Sequence, residues 1–337
     1  MEKKMIAIVN IRKAMERIRE RVIRTPILAC EDLESLGIGK IYFKPENFQR
    51  TGSFKVRGAM NKILSLTDED RKKGVIAASS GNHGLGVAYA AKELGVAATI
   101  VMPLNAPRIK REKTEALGGK VILHGYTSVE RYEKVYELIE KKGYTLIHSY
   151  DDEELMAGGY TLIHSYDDEE LMAGQGTLGL EIMENQRKVD RVIVPMGGGG
   201  LISGVASAVK GIDPSVEVIG VETEAVPRFT VSLSKGEPTI VPMGETFADG
   251  LRVVEPGRIS YQVVSSIVDH VLTVNEREIR EAVQLIYLKG KLVVEPSAAV
   301  GLAAVLQGKI KGKPTDHNVF VISGGNVDQK KILEIFS

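Results

Sequence analysis

The sequence predicts an α/β fold built on parallel sheet. Three observations carry this. Short apolar runs alternate with helix-length segments at the spacing of βαβ units. The runs are apolar throughout rather than at every second residue, as strands covered on both faces are. Several runs end in polar or glycine-rich turns, SSGNHG at 79–84 and GGGG at 197–200.

The elements run in order. Asn10 can cap a helix whose apolar residues Ile11, Met15, Ile18 and Val22 share one face. Thr25-Pro26 stops it, because the residue before proline is pushed out of helical space. A strand is predicted over 75–78, then the polar loop, then a helix over 85–94 that Gly95 ends. A strand over 96–102 stops at Pro103. A helix reaches Leu117, and a strand covers 120–124. Thr127 and Glu130 form a capping-box pattern for a helix ending near Gly143, and 144–147 reads as the next strand. In the second half, strands are predicted over 192–196, 217–222, 271–274 and 319–323. Helices are predicted over 201–210 and 276–288.

One stretch is written twice. Residues 143–158 read GYTLIHSYDDEELMAG, and residues 159–174 repeat them without a difference. Solenoid repeats have longer periods and need about three copies. The pair reads as a recent duplication or an artefact. Without one 16-residue copy, the 337 residues become 321. Only one copy can stand between the preceding helix and Gln175-Gly176-Thr177. The second is contiguous with that segment and is expected to be structural, with the first a surface excursion. The added loop length costs a few tenths to about 1 kcal/mol. Exposing the spare Leu, Ile and Tyr is the larger problem.

Composition narrows the function. Lys+Arg and Asp+Glu are both 44, so the net charge is zero. That argues against nucleic acid or an anionic membrane as partner. Aromatics are 5% with no Trp, too few for a single-strand stacking surface. Cys30 is the only cysteine; it reads as a small core residue and fits a reducing compartment. No apolar run approaches membrane-spanning length, and the N-terminus lacks a secretory pattern. A cytoplasmic location is expected, and the length suits two domains.

Four segments carry chemistry. Gly197, Gly198, Gly199 and Gly200 lie between a strand and a helix beginning at Leu201. Bare backbone N–H groups there can wrap a phosphate at the positive end of a helix. The spacing is wrong for a dinucleotide fingerprint, and the Walker Gly-Lys-Ser/Thr is absent. Thr51-Gly52-Ser53-Phe54-Lys55 alone reads as a surface lysine packing its stem. Ser79-Ser80-Gly81-Asn82-His83-Gly84 reads as a helix start that could hold a carboxylate. Ser323-Gly324-Gly325-Asn326 alone is a turn.

Together, in order and spacing, these segments resemble the fold-type II pyridoxal-phosphate enzymes, closest to the threonine/serine dehydratase and serine racemase group. The resemblance runs from about Ile11 to Asp328. It includes Lys44-Pro45-Glu46-Asn47, Gly174-Gln175-Gly176-Thr177, 248–252 and Glu295-Pro296-Ser297-Ala298. It implies two open, twisted, mainly parallel sheets flanked by helices, tryptophan synthase β-like, with pyridoxal 5'-phosphate in the interdomain cleft. The large domain would be 1–70 with 151–337, and the small domain 71–150.

The resemblance also implies roles. Lys55 would hold the cofactor as a Schiff base and later act as general base. Phe54 would pack on the ring, and Asn82 would bond its 3′-oxygen. Gly197 to Gly200 and Leu201 would hold the phosphate, and Ser323 would meet the pyridine nitrogen. Ser79, Ser80, Gly81, Asn82 and His83 would receive the substrate carboxylate. A serine at the ring nitrogen supplies no formal counter-charge, which suits β-elimination of L-threonine or L-serine to a 2-oxo acid and ammonia.

Ser80 stands where serine racemases carry a second acid/base, so an amino-acid racemase is the alternative. A nucleotide-binding oxidoreductase using the glycine turn is the alternative from another class. Glu222 matches a cation ligand of the racemases, but Arg228 stands where an acidic ligand is expected, so no metal is expected. His83 reads as loop-shaping. A homo-oligomer, dimer or tetramer, is expected. So is the absence of the C-terminal regulatory domain of feedback-inhibited dehydratases, with its place in isoleucine biosynthesis.

Overall fold

Valine- and isoleucine-rich runs form the strands. Each such side chain fully buried contributes about 1.5–3 kcal/mol, so a run apolar on both faces gains most by being sandwiched. The structure is a computed structural model that describes residues 4–79, 81–106, 108–142, 161–162 and 164–337. The first half holds α1 (Ile8–Ile18), β1 (Leu28–Ala29), β2 (Lys40–Pro45), α2 (Lys55–Ser65), α3 (Asp68–Lys73), β3 (Val75–Ala78) and α4 (Asn82–Glu93). Next come β4 (Ala98–Met102), α5 (Arg108–Ala116), β5 (Lys120–Leu123), α6 (Ser128–Lys142), β6 (Thr161–Leu162) and α7 (Glu169–Asn185). Then follow β7 (Arg191–Pro195), α8 (Gly200–Ile212), β8 (Glu217–Thr223), α9 (Arg228–Lys235), α10 (Arg258–Ile267) and β9 (His270–Val274). The chain closes with α11 (Glu276–Leu288), α12 (Pro296–Leu306), β10 (His317–Ile322) and α13 (Gln329–Phe336).

Two sheets result. One has six strands in the order β1-β2-β10-β7-β8-β9, and the other has four in the order β5-β4-β3-β6. Every described pairing is parallel except β1 with β2. Alternate residues of the large sheet enter opposite cores. Ile193, Ile219, Val221, Phe320 and Ile322 pack with α11 and α12. Val192, Val194, Val218, Val319 and Val321 pack with α8 and α10. The small sheet is covered likewise, by α2 and α4 on one face and α6 on the other. The parallel α/β expectation therefore holds, with helices on both faces of two sheets.

Several boundaries differ. α1 begins at Ile8 with Ala7 at its cap position and no side-chain cap, so Asn10 lies inside it and Val22 beyond it. Packing of Ile11 and Ala14 against Met172, Ala173 and Leu180 of α7 sets that helix instead. α4 begins at Asn82, so the polar loop is itself the helix start. The capping box at α6 is present: Glu130 accepts from the Thr127 amide at 2.8 Å, and the Glu130 amide donates to Thr127 Oγ1 at 3.2 Å.

The last strand of the small sheet comes from the second copy of the duplication. Thr161 and Leu162 pair with Val75 and Ile76. Asp168 then caps α7, accepting from the Leu171 amide at 2.8 Å, a contact worth about 1 kcal/mol. The strand predicted over 144–147 and the whole first copy lie outside the described residues. The small sheet therefore reaches past the boundary expected at 150.

Candidate active site

β3 in the small sheet and β7 and β10 in the large one each run parallel to their neighbours there, apart from the edge strand β1, and their carboxyl ends carry the three turns singled out above. Such ends, with helix N-termini beside them, are where ligands sit in open α/β sheets. The segment bearing Lys55 is tied to the last of them. The Phe54 amide donates to Ser323 O at 3.0 Å, and Ser53 bridges Gly324. Ser323 itself is buried.

Lys55 is the first residue of α2. Its Nζ donates to Ser165 O at 2.5 Å and lies 5.2 Å from the Phe54 ring centre. The side chain is half-buried. Burial pushes the Lys55 pKa down to about 8, with Glu295 pulling it back up. A neutral amine is thus accessible near neutral pH, which a nucleophile or base needs.

Asn82 opens α4 and joins two other segments. Its Nδ2 donates to both carboxylate oxygens of Glu295 at 2.9 Å, and its Oδ1 accepts from Asn326 Nδ2 at 2.9 Å. Burial, the largest cause, raises the Glu295 pKa to about 7. Asp249 also raises it, while Asn82, Lys110 and Lys331 pull it down. In the loop, Ser79 Oγ accepts from the Gly81 amide at 3.2 Å, and His83 is buried. Ser80 lies outside the described residues.

The glycine turn lies beside the Lys55 anchor. Ser165 O receives Lys55, and the next residue, Tyr166, lays its ring on Gly198, where an added Cβ would sit 2.2 Å from it. Gly199 has φ +103°, and a Cβ there would meet Phe229 and Ser260 at 2.6 Å. A Cβ on Gly200 would be 2.5 Å from Tyr166 O. Only glycine fits at these three positions. The first N–H groups of α8, which start at Gly200 and Leu201, have no intrahelical partner. Leu201 puts its side chain into the core that Phe54 also packs against.

The predicted residues Phe54, Lys55, Ser79, Gly81, Asn82, His83, Gly197 to Gly200, Leu201 and Ser323 therefore gather at one end of the two sheets. The sequence reading missed Glu295, Asn326 and the Ser165-Tyr166 pair as participants. The first two stood in segments already picked out, Glu295-Pro296-Ser297-Ala298 and Ser323-Gly324-Gly325-Asn326. Only their meeting with Asn82 was invisible. Among the described residues, no group of three His, Cys, Asp or Glu is placed to hold a metal ion.

The donors fit pyridoxal phosphate. An all-glycine turn with a left-handed residue caps a helix N-terminus, a lysine of lowered pKa stands nearby, and a buried serine closes the set. Comparison with known proteins agrees. The family model described as "Pyridoxal-phosphate dependent enzyme" matches residues 18–324. The chain belongs to this family. The chain is 44% identical over 334 residues to an L-threonine ammonia-lyase of Thermotoga maritima, covering 99% of this chain and 79% of that protein. It is 42% identical over 330 residues to the L-threonine dehydratase catabolic TdcB of Staphylococcus aureus, covering 97% and 91%. Among solved structures, maize serine racemase superposes with a TM-score of 0.89 at 36% identity, covering 98% and 96%. The protein is thus a pyridoxal-phosphate-dependent enzyme, and the sheet architecture is that of fold type II.

Proposed function

We propose that this enzyme is an ammonia-lyase that eliminates water from L-threonine or L-serine, and that the released enamine takes water back to give 2-oxobutanoate or pyruvate and ammonia. The observation that carries this is near-full-length likeness, at 42–44% identity, to two proteins named for threonine deamination. The geometry supports it. When bound, pyridoxal phosphate supplies the electron sink for the bond broken at the α-carbon.

The chain's own residues do the rest. Peptide N–H groups of Gly197 to Gly200 and Leu201 hold the phosphate at the start of α8. Phe54 covers the ring and Asn82 orients it through its amide. Ser323 offers a neutral hydroxyl, which supplies no formal counter-charge at the ring nitrogen. Ser79, Ser80, Gly81, Asn82 and His83 receive the substrate carboxylate at the start of α4. Lys55, as the neutral amine that its lowered pKa makes accessible, takes the α-proton as general base. Among the described residues, no helix is long and apolar enough to cross a membrane. We read the enzyme as a cytoplasmic homo-oligomer acting on a small amino acid.

The test is 2-oxo acid formation from L-Thr, L-Ser and D-Ser. Lys55→Ala should abolish it. A protein that releases no 2-oxo acid from either L-amino acid would sink the reading. Racemisation is the second reading, favoured by the serine racemase neighbour. Ser80→Ala should then abolish D-serine formation while sparing most elimination.

A further inference from the structure

Helix α10 begins without a cap of its own. Gly257 stands at its cap position and has no side chain to offer. The acceptor comes from a distant part of the chain. Asp167 is buried, and its Oδ1 accepts from the Ser260 amide at 3.0 Å and its Oδ2 from the Ile259 amide at 3.4 Å. These are the amides that an ordinary cap side chain would take, at the positive end of the helix dipole. Gly257 leaves room for the carboxylate, since an added Cβ would stand 2.1 Å from Asp167 Oδ1. Asp167 is itself aimed by His164, whose Nδ1 accepts from the Asp167 amide at 2.8 Å and the Tyr166 amide at 3.2 Å.

The same start of α10 grips the glycine turn. Gly198 O accepts from Ser260 Oγ at 2.7 Å and from the Gly257 amide at 3.2 Å, so both of its lone pairs are used. In a trans peptide the C=O of one residue points opposite to the N–H of the next. Holding Gly198 O toward α10 therefore turns the Gly199 amide away from α10. Ser260 is completely buried and links the two ends of this chain of contacts: its amide goes to Asp167 and its hydroxyl to Gly198 O. A shift of Asp167 thus reaches the turn through one residue.

We propose that Asp167 is a positioning residue for the phosphate cradle: by capping α10 from outside that helix it fixes Ser260, and through Ser260 it sets the direction of the Gly199 amide. This rests on the phosphate role proposed above for the glycine turn. The test compares how tightly the full-length apo-protein binds pyridoxal 5'-phosphate and pyridoxal, which lacks the phosphate. The ratio of the two affinities isolates the cradle, because a general loosening of the fold weakens both ligands alike. Asp167→Leu is close in size and accepts no bond, so it should shrink the ratio about tenfold, the scale of one well-placed hydrogen bond. Asp167→Asn keeps an acceptor and should hold the ratio within about threefold of the wild type. Ser260→Ala should lose as much as Asp167→Leu, and the double variant no more than either, because the two residues act in series. If Asp167→Leu does not fold, Gly257→Ala replaces it: its methyl group pushes the carboxylate off the α10 amides and should shrink the ratio likewise. A wild-type ratio in Asp167→Leu, or in Gly257→Ala where that variant serves, overturns the proposal. So do additive losses in the double variant, or an Asp167→Asn that falls as far as Asp167→Leu. A wild type that binds pyridoxal as tightly as pyridoxal 5'-phosphate overturns the phosphate role of the turn, and the proposal falls with it.

Discussion

Glu295→Gln should change how stability depends on pH. The wild-type carboxyl is buried against Asn82, and its pKa stands at about 7 against an ordinary 4.5. Between those values the unfolded chain has released a proton that the folded chain still holds. Stability is therefore full below about pH 4.5, falls as pH rises through the window, and stays lower above 7. A tenfold change in proton affinity is about 1.4 kcal/mol, so the full loss amounts to about 3 kcal/mol. Glutamine carries no such proton. It also loses one of the two bonds to Asn82, but that cost does not vary with pH. The comparison stays at pH 8 or below, because Lys55 titrates near 8 and removing the Glu295 charge pushes its pKa lower still. The assay is urea unfolding of apo wild type and Glu295→Gln at pH 5 and pH 8. The variant should gain about 2–3 kcal/mol on the wild type between the two. Parallel pH profiles would refute the buried, late-titrating Glu295.

Three further outcomes rest on the same contacts. Capture of pyridoxal phosphate by the apo-protein, followed by visible absorbance, should quicken as pH rises through about 8, and at lower pH in Glu295→Gln, because only the neutral amine of Lys55 is nucleophilic. Arg57→Ala should cost about 3–5 kcal/mol in denaturant, because it takes the guanidinium from two buried carboxylates, Glu46 at 2.7 Å and Glu181 at 2.6 Å, and leaves Glu46 with no ion-pair partner among the described residues. Tyr166→Ala should lower cofactor affinity while Tyr150→Ala, the same change in the first copy, leaves it untouched; equal effects would show that the copies exchange places.

What the sequence disclosed came from pattern. Continuous apolar runs located β3, β4, β5, β7, β8, β9 and β10 within a residue or two, and the glycine and polar turns marked their carboxyl ends. Three kinds of element stayed hidden. α12, PSAAVGLAAVL, is apolar all round because it is buried all round, so it shows no amphipathic stripe. β2 carries Lys44, a residue that reads as surface, yet it is fully buried because Glu181, far along the chain, pairs with it at 2.6 Å. Glu295 sits at the cap position of α12 but makes no capping bond, turning instead to Asn82. In each case the deciding partner is distant in sequence, and local propensity carries no trace of it.

The duplication is the sharpest instance, because two identical stretches differ only in the residues that flank them. Deleting either copy gives the same chain, so no deletion tells them apart. Register does. The second copy runs into Gln175-Gly176-Thr177, and α7 there lies so close to α8 that a Cβ on Gly176 would stand 2.9 Å from Gly204 O and 3.0 Å from Ile11. The first copy runs into Gly159-Tyr160-Thr161. Threaded through the same place, it would set Tyr160 where Gly176 must be. A tyrosine cannot enter a gap too narrow for one methyl group without driving α7 off α8. That would also pull Ser165 and Tyr166 from Lys55 and the glycine turn. The residue that chooses between the copies lies outside both of them.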